Sequence, residues 1–221
     1  SYGARPGRSA HDAIATVRTG LIWKKHLVVD VDLKSFFDDI GHVPMLMKVA
    51  RRIQDDRVLG LIKQFLRSTG KKGIPQGSPL SPLLANVALN DLDHILGRGG
   101  GYLRYARYLD DMVVLTYDSR KGRRWADRAL ERIREEAGAI DVSLNAEKTR
   151  KVFLTAPETS FTFLGFTFRW QPNPTVRTGY AHTSPKRKAV LEVLRKVRNT
   201  LRGSGHLSVQ DAVKRVNPIL R

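Results

Sequence analysis

Four aspartates lie in stretches that otherwise favour strands. Asp30 and Asp32 fall in "HLVVDVD", residues 26–32, and Asp110 and Asp111 fall in "YARYLDDMVVL", residues 105–115. Carboxylates are seldom buried among apolar residues unless they are paired or hold a cation. Side chains alternate faces along a strand, so Asp30 and Asp32 point the same way. A hairpin tip at Asp110–Asp111 brings one or both to the end of a neighbouring strand. Carboxylates gathered at one point repel and take up protons unless a cation lies between them. Mg²⁺ suits such a set, because it takes a few carboxylate oxygens and keeps places for water and phosphate oxygens. Two such ions roughly 4 Å apart can activate a 3′-hydroxyl and stabilise a leaving pyrophosphate. An Asp-Asp pair alone is also common in exposed hairpins, so the reading depends on the elements around it.

The valines of 26–32 predict a buried strand. Within 43–67, "VPMLMKVARRI" and "VLGLIKQFL" predict two helices, with apolar residues three and four apart. "KKGIPQGSP", 71–79, is a loop punctuated by Gly and Pro. "SPLLANVALNDLDHIL", 81–96, predicts one buried helix with Ser81 as cap and Pro82 in its first turn. Residues 101–117 read as strand, tight turn and strand. An amphipathic helix is expected over 123–137, with Ala126, Ala129, Leu130, Ile133 and Ala137 on one face. Short strands are expected at 151–154 and 161–170, then a Pro-rich loop at 172–174. A helix opens at "SPKRKAVL" with a stripe of Val190, Leu194, Val197 and Leu201, and "GSG" at 203–205 breaks it. Ser208 caps a last short helix that stops before Pro218. This mixture predicts an α+β fold with a helical piece from about residue 184.

Lys and Arg total 39 against 21 Asp and Glu, a net charge of +18 over 221 residues. A field of that sign draws polyanions, and nucleic acid is the commonest. There is no cysteine, which excludes disulfides and thiolate metal sites. The histidines show no paired ligand spacing. No run of 18 apolar residues is present, so no membrane contact is expected. The opening "SYGARPGRSAHDA" lacks the apolar block of a signal peptide, so the expected location is cytoplasmic or organellar rather than secreted.

"YLDD" between apolar strands resembles the Tyr-x-Asp-Asp box of reverse transcriptases. "DLKSFFDDI", 32–40, resembles the first aspartate box of the group II intron branch, and "GIPQGSPLSPLLANVALNDLD", 73–93, its Pro-Gln-Gly segment. "YGARPGRSAHDAI", 2–14, is similar to the arginine-rich segment upstream, and "LNAEKTR", 144–150, and "FLGF", 163–166, to two later boxes. The C-terminal "SPKRKAVLEVLRKVR…LSVQDAVKRVNPILR" resembles the start of the maturase thumb. The chain begins inside the arginine-rich box and stops within the maturase pattern. The resemblance therefore implies a palm whose antiparallel sheet is backed by helices, with partial fingers (together 1–183) and a partial thumb (184–221). Position by position, it implies that Asp32, Asp110 and Asp111 are catalytic and that they hold two Mg²⁺ ions with the Leu33 carbonyl, Mn²⁺ being able to substitute. Phe37 falls at the sugar-sensing position. Pro75, Gln76 and Gly77 would meet the incoming deoxynucleoside triphosphate and the template base. Lys148 would give a proton to pyrophosphate or is simply a solvated lysine. Phe163, Leu164, Gly165 and Phe166 look like the primer grip. Arg5, Arg8, Lys186, Arg187 and Lys188 would contact nucleic acid. Asp30 lies off the ligand position and is read as structural. Leu109 stands where the group II enzymes usually carry alanine.

The implied activity is RNA-directed DNA polymerisation on an RNA template from a DNA or RNA primer, with intron RNA as a further partner in splicing. Two other readings use the same residues differently. A non-catalytic maturase would need the basic thumb helix and "RKGRR" at 120–124 but neither Asp32 nor Asp110. A host-adopted polymerase of DNA repair or phage defence would keep the aspartates.

Overall fold

The computed structural model describes residues 1–156, 158–173, 178–203 and 208–220. Its centre is a four-stranded sheet of β1 (Leu27–Val31), β2 (Arg104–Tyr108), β3 (Asp111–Thr116) and β4 (Arg150–Phe153). The order is β2-β3-β1-β4, and every neighbouring pair is antiparallel. β1 is paired on both edges and covered on both faces, which is why its sequence is an apolar run and not an alternation.

Leu27, Val29, Val31, Met112 and Val114 face one core layer. It is built from α3 (His42–Ala50), α5 (Leu80–Ala88), α6 (Asn90–Gly97) and α7 (Arg120–Gly138), with α4 (Asp56–Arg67) packed outside on α3. Val28, Ala106, Val113 and Leu115 face the other layer. That layer holds α1 (Ala10–Ile22) and an antiparallel sheet of β5 (Ser160–Phe163), β6 (Phe166–Asn173) and β7 (Thr178–Pro185). The short α2 (Phe36–Asp39) follows β1, and α8 (Arg187–Leu201) and α9 (Val209–Leu220) end the chain. The architecture is α+β, as expected. No helix among the described residues is long and apolar enough to cross a membrane.

The structure departs from the sequence expectations in several places. α1 was not foreseen, although a capping box opens it: the Ser9 hydroxyl accepts the Asp12 amide, and the Asp12 carboxylate accepts the Ser9 amide. The helix expected over 81–96 is two, broken at Leu89, whose ψ of 12° leaves the helical region. Ser81 does not cap: it is buried inside α5, and its hydroxyl donates to the Pro75 carbonyl. β6 runs through Pro172 and Asn173 of the expected Pro-rich loop, and β7 fills 178–185, where no strand is expected. Pro172 is tolerated in β6 because it lies beyond the end of β5, where β6 is paired on one side only. Pro174 and the Ser204–Gly205 part of the expected break lie outside the described residues. α9 runs through Pro218 to Leu220 instead of stopping short, with the proline in its last turn.

Candidate active site

β1 and β3 pair with Asp30 opposite Val113 and Val31 opposite Met112. Continued by one residue, that register sets Asp32 across from Asp111. Residues opposite one another share a face, as do alternate residues. Asp30, Asp32 and Asp111 therefore meet on one face at one end of the sheet. They line a cleft of about 520 Å³ together with Glu147, Lys148, Arg150 and Lys186. Asp110 sits in the two-residue turn beyond Tyr108 and Asp111, the last pair of the β2–β3 ladder.

Burial pushes the Asp110 carboxyl above the ordinary aspartate range; its own backbone amide pulls it down, and Asp32 pushes it up again. Asp111 is raised by burial, then by the charges of Asp110, Asp32 and Asp30, with Lys186 opposing. Burial also raises Asp30, against the pull of Arg150. These are the signs of a donor set that gains by taking up a cation.

Asp32 is held by its backbone. Its amide donates to Thr149 Oγ1 at 3.3 Å, and its carbonyl accepts the Asn145 amide at 2.8 Å. Asn145 Oδ1 accepts the amides of Glu147 and Lys148, at 3.2 and 3.3 Å, which folds the 145–149 turn over the cleft. Lys148 Nζ then lies 3.7 Å from Asp32 Oδ2, and Arg150 Nε lies 3.4 Å from Asp30 Oδ2. Both cations are well exposed, so each pair contributes only about 0–1 kcal/mol and can yield to a stronger cation. Leu33 bridges to Leu144 through the flanking Asp32 carbonyl and Lys34 amide, not through its own carbonyl.

The donor set is all oxygen, on one face and mutually repelling, which fits a hard divalent cation. Among the described residues no three Asp, Glu or His side chains stand close enough to enclose an ion by themselves. An ion held here would complete its shell with water and phosphate oxygens, as Mg²⁺ commonly does.

The Phe37 and Pro-Gln-Gly segments come together. The Phe37 carbonyl accepts the Ile74 amide at 2.6 Å, and the Ile40 carbonyl accepts the Gly73 amide at 2.8 Å. At Gly73, with φ of +93°, a Cβ would stand 2.9 Å from the Asp38 carbonyl oxygen and 3.0 Å from that of Phe37, so only glycine allows this approach. Gln76 Nε2 donates to Asp38 Oδ1 at 3.2 Å, and Gln76 and Gly77 are exposed. Phe36 is 2 % exposed in the core. Phe37 is half-buried and meets the Phe36 ring edge to face, with centroids 5.2 Å apart.

The turn between β5 and β6 is Leu164–Gly165, both at positive φ, and with Phe163 it lines the carboxylate cleft. Phe163 reaches that cleft from the core, and Phe166 packs partly against the same core. The Gly165 carbonyl accepts the Lys186 amide at 2.8 Å, which ties this turn to the start of α8. Lys186 thus belongs to the carboxylate cleft, whereas Arg187 and Lys188 are exposed in the first turn of α8. Arg5 and Arg8 line a different cleft, of about 660 Å³, with Lys48, Arg51, Arg52 and Asp91.

Sequence reasoning missed a buried ionic group behind the hairpin. Arg107 is fully buried; its Nε and Nη2 donate to the two oxygens of Asp93 at 2.8 and 2.5 Å. The Tyr105 hydroxyl donates to the same carboxylate at 3.2 Å. The available signal was a charge at each of two core-facing positions, Arg107 within an apolar strand pattern and Asp93 between Leu92 and Leu96. The basic residues of α3 beside Arg5 carried no spacing signal.

A family model described as reverse transcriptase (RNA-dependent DNA polymerase) matches residues 1–168. Protein YkfC of Escherichia coli (strain K12) is 30 % identical over 75 % of this chain and 54 % of its own. The group II intron-encoded protein LtrA of Lactococcus lactis subsp. cremoris is 37 % identical over 42 % of this chain and 17 % of its own. This chain thus spans about half the length of the first relative and far less of the second. Among solved structures, a Candida tropicalis apo telomerase truncated from its C-terminal domain superposes with a TM-score of 0.58 at 14 % identity, over 80 % of this chain and 40 % of that one, a likeness of fold.

Proposed function

This chain belongs to the reverse transcriptase family, and on that premise we propose that it is the polymerising core of an RNA-directed DNA polymerase of the group II intron type. The observation that carries the reading is the meeting of Asp32, Asp110 and Asp111 at one sheet end, with Asp110 and Asp111 raised by burial and by neighbouring carboxylates and faced, among the described residues, by exposed cations. Bound Mg²⁺ ions, or Mn²⁺ in their place, would supply the positive charge for the attacking 3′-oxygen and the leaving pyrophosphate. Asp32, Asp110 and Asp111 would hold them, with the Leu33 carbonyl beside Asp32.

The remaining residues position and screen. The Phe37 ring and the Pro75–Gly77 loop frame the incoming nucleotide. Lys148, beside Asp32, would give a proton to pyrophosphate. The Phe163–Phe166 turn and Lys186 hold the primer end at the cleft. Residues 1–183 act as fingers and palm and 184–221 as thumb. Arg187 and Lys188 lie at the positive end of the α8 dipole, where cations are unfavourable. A phosphate backbone there would offset both charge and dipole. The same basic surfaces would serve intron RNA in a splicing role, a reading favoured by the likeness to LtrA. The test is primer extension on RNA and DNA templates with Mg²⁺. Deoxynucleotide addition on RNA is expected, and its absence under conditions where the chain is folded and binds the primer–template would reject the proposal.

A further inference from the structure

Leu109 is the first residue of the two-residue turn and has φ of +56°, while Asp110 is not at positive φ. That is the pattern of a type II′ turn, which usually places glycine first. A left-handed leucine costs about 1–3 kcal/mol and persists only where its surroundings over-determine it.

Those surroundings come from both sides. Arg107 pairs with Met112, whose side chain is in the helix-backed core, so Arg107 lies on the face opposite the carboxylates. Two of its nitrogens are taken by Asp93, and the third, Nη1, donates to the Leu109 carbonyl at 2.7 Å. From outside, the Tyr2 amide donates to the Arg107 carbonyl at 2.8 Å. Gly3 then passes so close that a Cβ on it would stand 2.9 Å from the Leu109 nitrogen.

The carbonyl that Arg107 holds belongs to the peptide plane joining Leu109 to Asp110. In a trans peptide the C=O and N–H point in opposite directions. The N–H of that plane is the Asp110 amide, which therefore points to the cleft side. One peptide thus ties the guanidinium on the helix side to the residue that carries the carboxylate on the cleft side. Rotating this plane by half a turn converts type II′ to type I′, which would put Asp110 at positive φ and aim its amide away from the cleft.

We propose that Arg107 is a positioning residue for the polymerase reaction: anchored by Asp93, it selects one orientation of the Leu109–Asp110 peptide and thereby aims the Asp110 carboxylate. The aim, not the ion pair itself, is the functional output, and the catalytic part of the claim rests on the function proposed above.

Arg107→Lys separates the two roles, since lysine keeps a charge for Asp93 but cannot fork to Asp93 and Leu109 together. Tyr105→Phe is the matched control, because it loosens the Asp93 cluster and leaves the Leu109 bond. Amide hydrogen exchange at Asp110 and single-turnover extension are measured on the full chain, with melting temperature alongside. For Arg107→Lys, Asp110 exchange should quicken at least tenfold while Val113 and Val114 are unchanged. Its kcat should fall at least tenfold, with KM for the nucleotide nearly constant. Tyr105→Phe should lower melting temperature and leave both readouts near wild type. Should Arg107→Lys fail to fold, Arg107→Gln with Asp93→Asn removes both buried charges together, a change that packing tolerates better than losing one; the same exchange and kcat losses are expected. Unchanged Asp110 exchange, or a kcat loss that merely tracks melting temperature in both variants, overturns the proposal. Faster Asp110 exchange in Arg107→Lys than in wild type, with a wild type that adds no nucleotide, would reject the polymerase reading and leave the turn selection standing.

Discussion

Phe37→Val should admit ribonucleotides, and Phe36→Ala should not. Phe36 is 2 % exposed and packs with Ile40 and Ile74 in the main core, so truncating it leaves a cavity costing about 3–5 kcal/mol. At about 2–4 °C per kcal/mol for a chain of this size, melting should fall by about 6–20 °C. Phe37 is half-buried, and its backbone, not its ring, carries the link to Ile74. Trimming it forfeits mainly the edge-to-face contact with Phe36, about 0.5–1.5 kcal/mol, so the protein stays folded. If the Phe37 ring lies under the sugar, a 2′-hydroxyl displaces the reacting phosphate, and a misplacement of that kind costs on the order of 100-fold in rate. Removing the ring should raise the ratio of ribonucleotide to deoxynucleotide kcat/KM by about 10- to 100-fold, with the deoxynucleotide rate largely kept. The assay is single-nucleotide extension with each triphosphate, alongside thermal melting of both variants. A rise in ribonucleotide use in Phe36→Ala and none in Phe37→Val would refute the reasoning and put the first aspartate box out of register.

Asp93→Ala leaves a fully buried Arg107 unpaired, so it should cost about 3–5 kcal/mol and about 6–20 °C. Asp91→Ala, two residues away with a more exposed partner set, should cost no more than about 1 kcal/mol; melting curves that rank the two the other way would contradict the burial argument. The raised carboxyl of Asp111 binds its proton more tightly in the folded chain than in the unfolded one, so its ionisation removes stability as pH climbs from the ordinary aspartate value through the raised one. Asp111→Asn should therefore melt above wild type at neutral pH, and the gap should close as pH falls below the ordinary value; a gap that widens in acid would reverse the sign. Arg51→Ala with Arg52→Ala should flatten the slope of log affinity for single-stranded RNA against log salt by about 1.4 units, and an unchanged slope would take the segment just after α3 off the nucleic-acid surface.

The carboxylate cluster was legible in the sequence because strand alternation and a two-residue turn are local patterns. "VVDVD" and "YLDDM" fixed the face and the tip before any pairing was known. The pairing partner of Asp32 was not legible, since register between β1 and β3 depends on contacts some eighty residues apart. Arg107 and Asp93 were hidden for a related reason: each reads locally as a misplaced charge, and only the packing of α6 against β2 makes them a pair. Lys186 reads as the first residue of a basic helix, yet the hydrogen bond its amide donates to the Gly165 carbonyl draws it into the carboxylate cleft. The end of β6 was not legible because Pro172 suggests a loop wherever the free edge of a strand is not yet known, and β7 then had no visible partner.

The central claim is that Asp32 and Asp110 are there for phosphoryl transfer and not for folding or RNA binding. Asp32→Asn and Asp110→Asn, each compared with wild type in Mg²⁺, test it by two readings on one sample: extension of a primer on an RNA template, and affinity for that same primer–template. Both variants should lose nucleotide addition while binding stays near wild type. Full extension by either variant would contradict the account.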